Sequence, residues 1–233
     1  MNGLLVRVGV DQAYGHWNGP VDPATGRFVY VPIPEDRSSV RRDLVRGYEE
    51  CAPALKGMGL QLPDWLHGEC THLDPDFSEL TYGDGWPRSK PILEMGRGDF
   101  LAFYAGLAPT SQTRDNLVYA LIGFYVIDEF VYVKDVPKLR WHENAHTRRY
   151  SADDDIVVRA QPRASGRLKS CIPIGEFRDK SYRVRRDLLK EWGGLGVKDG
   201  FIQRSGALPA FTDPKRFYAW FRRQKPELVR KNN

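Results

Sequence analysis

The run LVYALIGFYVIDEFVYV, residues 117–133, constrains this chain more than any other segment. It is dense in β-branched and aromatic side chains, which lose rotamer freedom on a helix and pack well on a pleated surface. It therefore reads as one long strand, with Gly123 as a bulge or bend inside it. Such a strand needs partners. Residues 99–104 (DFLAFY) supply the next strand, and a polar link at 109–116 joins the two. Residues 4–10 (LLVRVGV), 27–33, 156–158 and 171–174 read as further short strands, with a hairpin turn at DPATG, residues 22–26. A Ser-capped helix is expected over 38–51, a loop-like stretch over 57–91, and two basic amphipathic helices over 182–192 and 214–224. The last has Asp213 as N-cap and Pro214 at its first position. The pattern implies a single α+β domain over 1–233, built on a mixed, largely antiparallel sheet with flanking helices. From about residue 180 it continues as a basic helical extension.

With 233 residues the chain can bury a core without staples, and its 22 glycines and 16 prolines point to many turns. No stretch reaches the roughly 18 apolar residues of a membrane span, and the N-terminus lacks a basic leader, so no membrane partner is expected. Three widely spaced cysteines argue against a disulfide framework and fit a reducing cytoplasm. The net charge of +5 is unevenly spread. Residues 1–133 hold 11 Lys and Arg against 18 Asp and Glu, whereas residues 134–233 hold 24 against 12. Such a split marks either a polyanion-binding face or a basic layer laid over an acidic one.

Several polar segments could carry chemistry. His67 and His72 sit in WLHGECTHLDPDF, and His142 and His146 sit in WHENAHTRRY, where HENAH has the form HExxH. If the two segments meet, His72, Asp74, Asp76, His142 and His146 are candidate ligands for a divalent metal, and Glu143 is a candidate base. Against a zinc-protease reading, the flanks are charged without helical apolar periodicity, and no third ligand follows at a set spacing. A polar, metal-free role for the loop is the competing reading, and no cofactor is demanded. Phosphate loops, a dinucleotide fingerprint and a G-x-S-x-G elbow are absent. Base recognition suits the aromatic content: Tyr14, Trp17, Trp86, Tyr104 and Trp141 lie in or beside polar segments holding Asp11, Asn18, Asp99 and Asn144. Arg148, Arg183, Arg185 and Arg186 are candidate phosphate contacts, or else parts of a solvated face.

The opening LVRVGVDQAYGHWNGPVDPATGRFVYVPIPE resembles the start of the third nucleotide-modification-associated domain family. THLDPDF, GDFLAFYAGL, WHENAHTRRY and SGRLKSCIPI look like its later blocks, in order, over about residues 4–175. The resemblance implies a role in modification of bases or nucleotides, beside other proteins of a modification operon. It directs attention to Asp11, Tyr14, His72, Asp74, Asp76, Asp99, Asn144 and His146. A weaker likeness of GDFLAFY and LIGFYVIDEF to the strand pair of PUA-like barrels implies a partly closed barrel with a base pocket. The expected function is recognition of a base or nucleotide, with metal-assisted modification (hydrolase or transferase) as the alternative and nucleic acid or a nucleotide as partner.

Overall fold

A computed structural model describes residues 1–13, 15–111, 116–150, 152, 154–203 and 208–233. The expected Tyr14 contact lies outside the described residues. The strands are β1 (Gly3–Arg7), β2 (Pro20–Val21), β3 (Ile33–Glu35), β4 (Cys70–His72), β5 (Thr81–Asp84), β6 (Phe100–Pro109), β7 (Val118–Tyr132), β8 (Ile156–Ala160), β9 (Gly166–Pro173), β10 (Gly175–Arg178), β11 (Ser181–Val184) and β12 (Leu228–Val229). The α-helices are short: α1 (Ala52–Lys56), α2 (Lys90–Leu93), α3 (Ala145–Arg148), α4 (Arg186–Trp192) and α5 (Pro214–Arg223).

The expected long strand is β7, the backbone of the fold. It pairs antiparallel with β6, β8 and β9, and the main sheet runs β1-β6-β7-β8-β5, with β2, β9 and β12 attached off this path. β1 and β2 pair with β6 in parallel, and the other pairings are antiparallel, so the sheet is mixed and largely antiparallel. The fold is α+β as expected. The sheet is open, which corrects the barrel alternative: β1 and β5 end the path and are not paired with each other.

Each face of the sheet carries its own apolar layer. Leu101, Phe103 and Ala105 of β6 face one layer with Tyr30, Leu73, Phe77 and Ile92. Phe100, Ala102 and Tyr104 face the other, which α4 and α5 cover with Leu188, Trp192, Phe217, Trp220 and Phe221. Gly123 is the expected bulge, and it changes which side each residue of β7 faces. Ala120 and Ile122 point to the first layer before it, whereas Tyr125 and Ile127 do so after it. One extra residue exchanges the faces of a period-two strand. A side chain at 123 would overlap the buried ring of Phe77.

Two expectations for helices are corrected. Residues 38–51 form separate 3-10 turns, Arg37–Ser39, Arg42–Leu44 and Tyr48–Cys51, rather than a helix. Their backbone groups pair across the fold instead of along it: Arg41 N donates to Arg148 O, and Thr71 N to Arg46 O. The helix expected from 182 begins only at Arg186, because Ser181–Val184 pairs with β10 as a strand. The stretch 57–91 contains β4, β5 and α2 where loop was expected. By contrast, α5 starts as read: Asp213 Oδ1 accepts from Arg216 N at 3.1 Å, with Pro214 following the cap. No helix among the described residues is long and apolar enough to cross a membrane, and all three cysteines are free and buried.

Candidate functional site: a His–Asp–His cluster at a polar cavity

β4 pairs antiparallel with β3, placing His72 opposite Ile33 at the end of the strand. The chain then passes through Asp74, a cis peptide to Pro75, and a tight turn. Asp76 and Thr81 close this turn by exchanging backbone hydrogen bonds of 2.9 and 3.1 Å. Asp74 therefore lies between β4 and β5. Its Oδ1 accepts from Gly83 N at 2.9 Å and from Asn144 Nδ2 at 2.9 Å. Asn144 caps α3: its Oδ1 accepts from His146 N at 2.9 Å, and its own N–H donates to Thr147 Oγ1. One asparagine thus fixes both Asp74 and the backbone of His146. Gly83 lies so close beneath α3 that a side chain there would overlap His146 and Asn144.

The ligand atoms of His72, Asp74 and His146 all lie within 4.8 Å of one another. Their exposures are 7%, 9% and 7%, so water solvates none of them freely. Each imidazole is held from behind by a carboxylate. His72 Nδ1 is 2.6 Å from Glu35 Oε2, and His146 Nδ1 is 2.6 Å from Asp155 Oδ2. With Nδ1 occupied, Nε2 is the nitrogen left on each ring, and that of His146 lies 3.6 Å from Asp74 Oδ2. The two rings meet edge to face at 4.9 Å. Arg149 spans both oxygens of Glu35 at 2.9 and 3.0 Å.

The environment splits the two histidines. Burial pushes the pKa of His72 down, and the hydrogen bond to Glu35 only partly offsets it. Burial acts the same way on His146, but its bonds to Asp155 and Asp74 outweigh it and raise the ring to about 9. Glu35 resists ionisation through burial yet is brought to about 2 by His72 and Arg149. Asp155 is likewise lowered, because His146 outweighs its burial. Asp155 and Asp74 thus favour the protonated form of the His146 ring. A metal would take that proton's place.

The cluster forms part of the wall of a cavity of about 240 Å³, which continues past Arg7, Asp11, Tyr82, Asp84 and Arg88. Arg7 pairs with Asp11 at 2.7 Å. Tyr82 donates to Asp84 at 2.7 Å, and burial pushes the Asp84 carboxyl above its usual range.

Of the residues expected to act, His72, Asp74, His146 and Asp11 line this cavity, and Asn144 stands behind it. His142 does not join them. It is exposed on a 3-10 segment, Lys138–Glu143, and its carbonyl accepts from Arg148. The HExxH string is not a helical face here, because Asn144, in extended conformation, separates that segment from α3. Glu143 is no base at this site: Arg159 and Arg140 hold its carboxylate at 2.8 and 2.7 Å. Arg148 is no phosphate contact, being buried against Asp76 at 2.7 Å.

Asp99 accepts from Asn2 N and Gly96 N, fixing the start of β6. Asn18 donates to Gly106 O, and Tyr104 donates to Ile202 O within the second apolar layer. Arg183 and Arg185 pair with Asp199 and Asp187, Arg186 is exposed on α4, and none of the three lines the cavity. Sequence reading missed Glu35, Asp155, Asp84 and Arg88. The spacing of Asp84 and Arg88, four residues apart like Arg7 and Asp11, is the one local signal that bears on them.

Fold and site together define an α+β protein with a buried two-histidine, one-aspartate cluster at a polar cavity. The chain belongs to the family described as nucleotide modification associated domain 3, whose profile matches residues 2–200. No curated protein and no solved structure matches it.

Proposed function

We propose that this protein is a divalent-metal-dependent enzyme of nucleotide modification, a hydrolase or transferase acting on a nucleotide or base in the 240 Å³ cavity. Its ligands are His72, Asp74 and His146. The observation that carries this reading is the pair of carboxylate-backed imidazoles converging with Asp74. A carboxylate on the far nitrogen of a ligand histidine fixes its orientation and raises its basicity. Ligands around one ion at ~2.1 Å stand about 3–3.5 Å apart. The three groups therefore need only a modest inward shift. Two histidines and one carboxylate suit zinc, manganese or ferrous iron and leave coordination positions for water and substrate.

An ion held there would polarise a substrate oxygen or acidify a bound water. The chain's own groups do the rest. Glu35 and Asp155 orient the rings, Asn144 fixes Asp74, and Asp84 and Asp11 offer carboxylates to the substrate from the cavity wall. A cavity of this size admits one nucleotide unit and not a duplex, so a base within a strand would have to leave its stack to enter.

Elemental analysis of the purified full chain tests the reading. About one equivalent of metal is expected, retained in His142→Ala and lost in His146→Ala. A chain that takes up no zinc, manganese or iron when these are supplied would leave the cavity as a site of recognition without metal chemistry.

A further inference from the structure

Among the described residues, four guanidinium groups stand in or close behind the cavity, and Arg7, Arg148 and Arg149 are engaged by protein carboxylates. Arg7 is committed to Asp11, to Gln203 O and to the ring of Tyr119. Arg149 spans Glu35, and Arg148 is buried on Asp76 and His142 O. Arg88 differs. Its Nη2 donates to Tyr82 OH at 3.2 Å, but its buried Nε has no hydrogen-bond partner among the described residues. Asp84 Oδ2 lies 3.2 Å from that Nε without the alignment of a hydrogen bond. The Asp84 carboxylate is instead satisfied by the Tyr82 hydroxyl and by Gly85 N. The Arg88 side chain remains 33% exposed, on the same cavity wall as His72, Asp74 and His146.

A guanidinium held at Nη2 by Tyr82 and one-third exposed on a cavity wall beside a candidate metal centre is placed to receive an oxyanion. Its planar fork matches two oxygens of a phosphate, and the resulting charge-assisted bonds are among the strongest available to a side chain. We propose that the substrate enters with a phosphate group and that Arg88 holds it. The site would then take a nucleotide, free or within a strand, in preference to a base or nucleoside. This inference rests on the metal-assisted reading of the same cavity, but its test does not depend on that reading.

The full chain is titrated calorimetrically, with and without Mn²⁺. The probes are 2′-deoxynucleoside 5′-monophosphates, the matching nucleosides, inorganic phosphate and a short single-stranded oligonucleotide. Monophosphates should bind at least about tenfold more tightly than their nucleosides, a difference of about 1.4 kcal/mol. Arg88→Gln should erase that difference while leaving Mn²⁺ stoichiometry unchanged, and Arg88→Lys should restore part of it. A preference for the oligonucleotide assigns the phosphate to a strand, and a preference for the monophosphate assigns it to a free nucleotide. Equal binding of nucleosides and monophosphates, a preference that survives Arg88→Gln, or no binding of any phosphate-bearing probe would overturn the proposal. Loss of Mn²⁺ binding alone would sink the metal reading and leave an Arg88-dependent phosphate preference standing.

Discussion

His72 and His146 become directed donors only through Glu35 and Asp155, which the chain supplies from 37 and 9 residues away. The residues proposed as ligands were among the candidates named from the sequence, since histidine and aspartate in turn-rich segments are natural ligand candidates. Which of the two histidines of HENAH would face inward was not legible, because that depends on where the chain leaves helical geometry. Asn144 decides it by capping α3 with an extended backbone, which buries His146 and leaves His142 in solvent. Asp99 teaches the opposite lesson. A conspicuous acid beside a glycine was expected to touch a base, and it serves as a local acceptor instead. Burial disfavours its charge, but the hydrogen bonds from Asn2 and Gly96 outweigh this and depress its pKa. A depressed carboxylate contributes stability that is present above its unfolded pKa of about 3.9 and is lost as pH falls through the folded value. Asp99→Asn should therefore lower the urea midpoint at neutral pH and flatten its decline below about pH 4. Parallel acid limbs for the two proteins would show that Asp99 carries no such linkage.

Among the elements, β7 was the most legible, because its length and β-branched content leave little alternative. Its bulge was legible as well, since a lone glycine in such a run has few other uses. The 38–51 segment was not, because its apolar spacing fits a helix while its backbone hydrogen bonds go to residues 69–71 and 148. Tertiary pairing overrode local propensity there. The end of the chain holds the site's turn in place through side chains beyond the reach of the family match. Asn232 accepts from Phe77 N at 2.7 Å and donates to Asp76 Oδ1 at 3.0 Å and Ser78 Oγ at 3.1 Å. Asn233 accepts from Tyr30 N and donates to Tyr30 O. Asn232→Ala should cost about 1–3 kcal/mol, because it strands partly buried groups on the turn that follows Asp74. It should also weaken metal binding severalfold without abolishing it, as read by urea denaturation and metal titration. A stability loss with unchanged metal affinity would show that the turn holds Asp74 unaided.

At the scale of the whole molecule, the sheet divides two jobs. One layer is sealed by the aromatic side chains of α4 and α5, each fully buried ring contributing about 1.5–3 kcal/mol toward the cost of ordering the chain. The cavity opens beyond the end of β1, and the basic residues of the late helices do not line it. The charge split is real, yet many of its members are paired, as Arg178 and Arg223 are with Asp199 and Glu191. Exposed charges more than ~8 Å from a ligand are largely screened at physiological ionic strength. Replacing Arg186, Lys215 and Arg222 with Gln should thus leave mononucleotide affinity within about twofold. If the late helices track a strand, the slope of log K against log salt for a single-stranded oligonucleotide should shrink by about 0.7 for each phosphate that the variant no longer neutralises. An unchanged slope would remove these helices from any role in holding a polyanion.

The sequence alone determined the central strands β1, β6 and β7, the fold class, the bulge at Gly123 and the capped start of α5, whereas the expected strand over 27–33 forms only at Ile33, and β4, β5 and β11 were not foreseen. The former follow from periodicity, steric preference and capping, which act between near neighbours. Only the tertiary structure decided that His72, Asp74 and His146 share one wall, that Glu35 and Asp155 stand behind them, and that Arg88 lines the same space. Hydrophobic patterning records which side of an element meets a core. It carries no record of which distant polar turns close over one cavity, because that outcome is set by how β3, β4, β5 and α3 pack together.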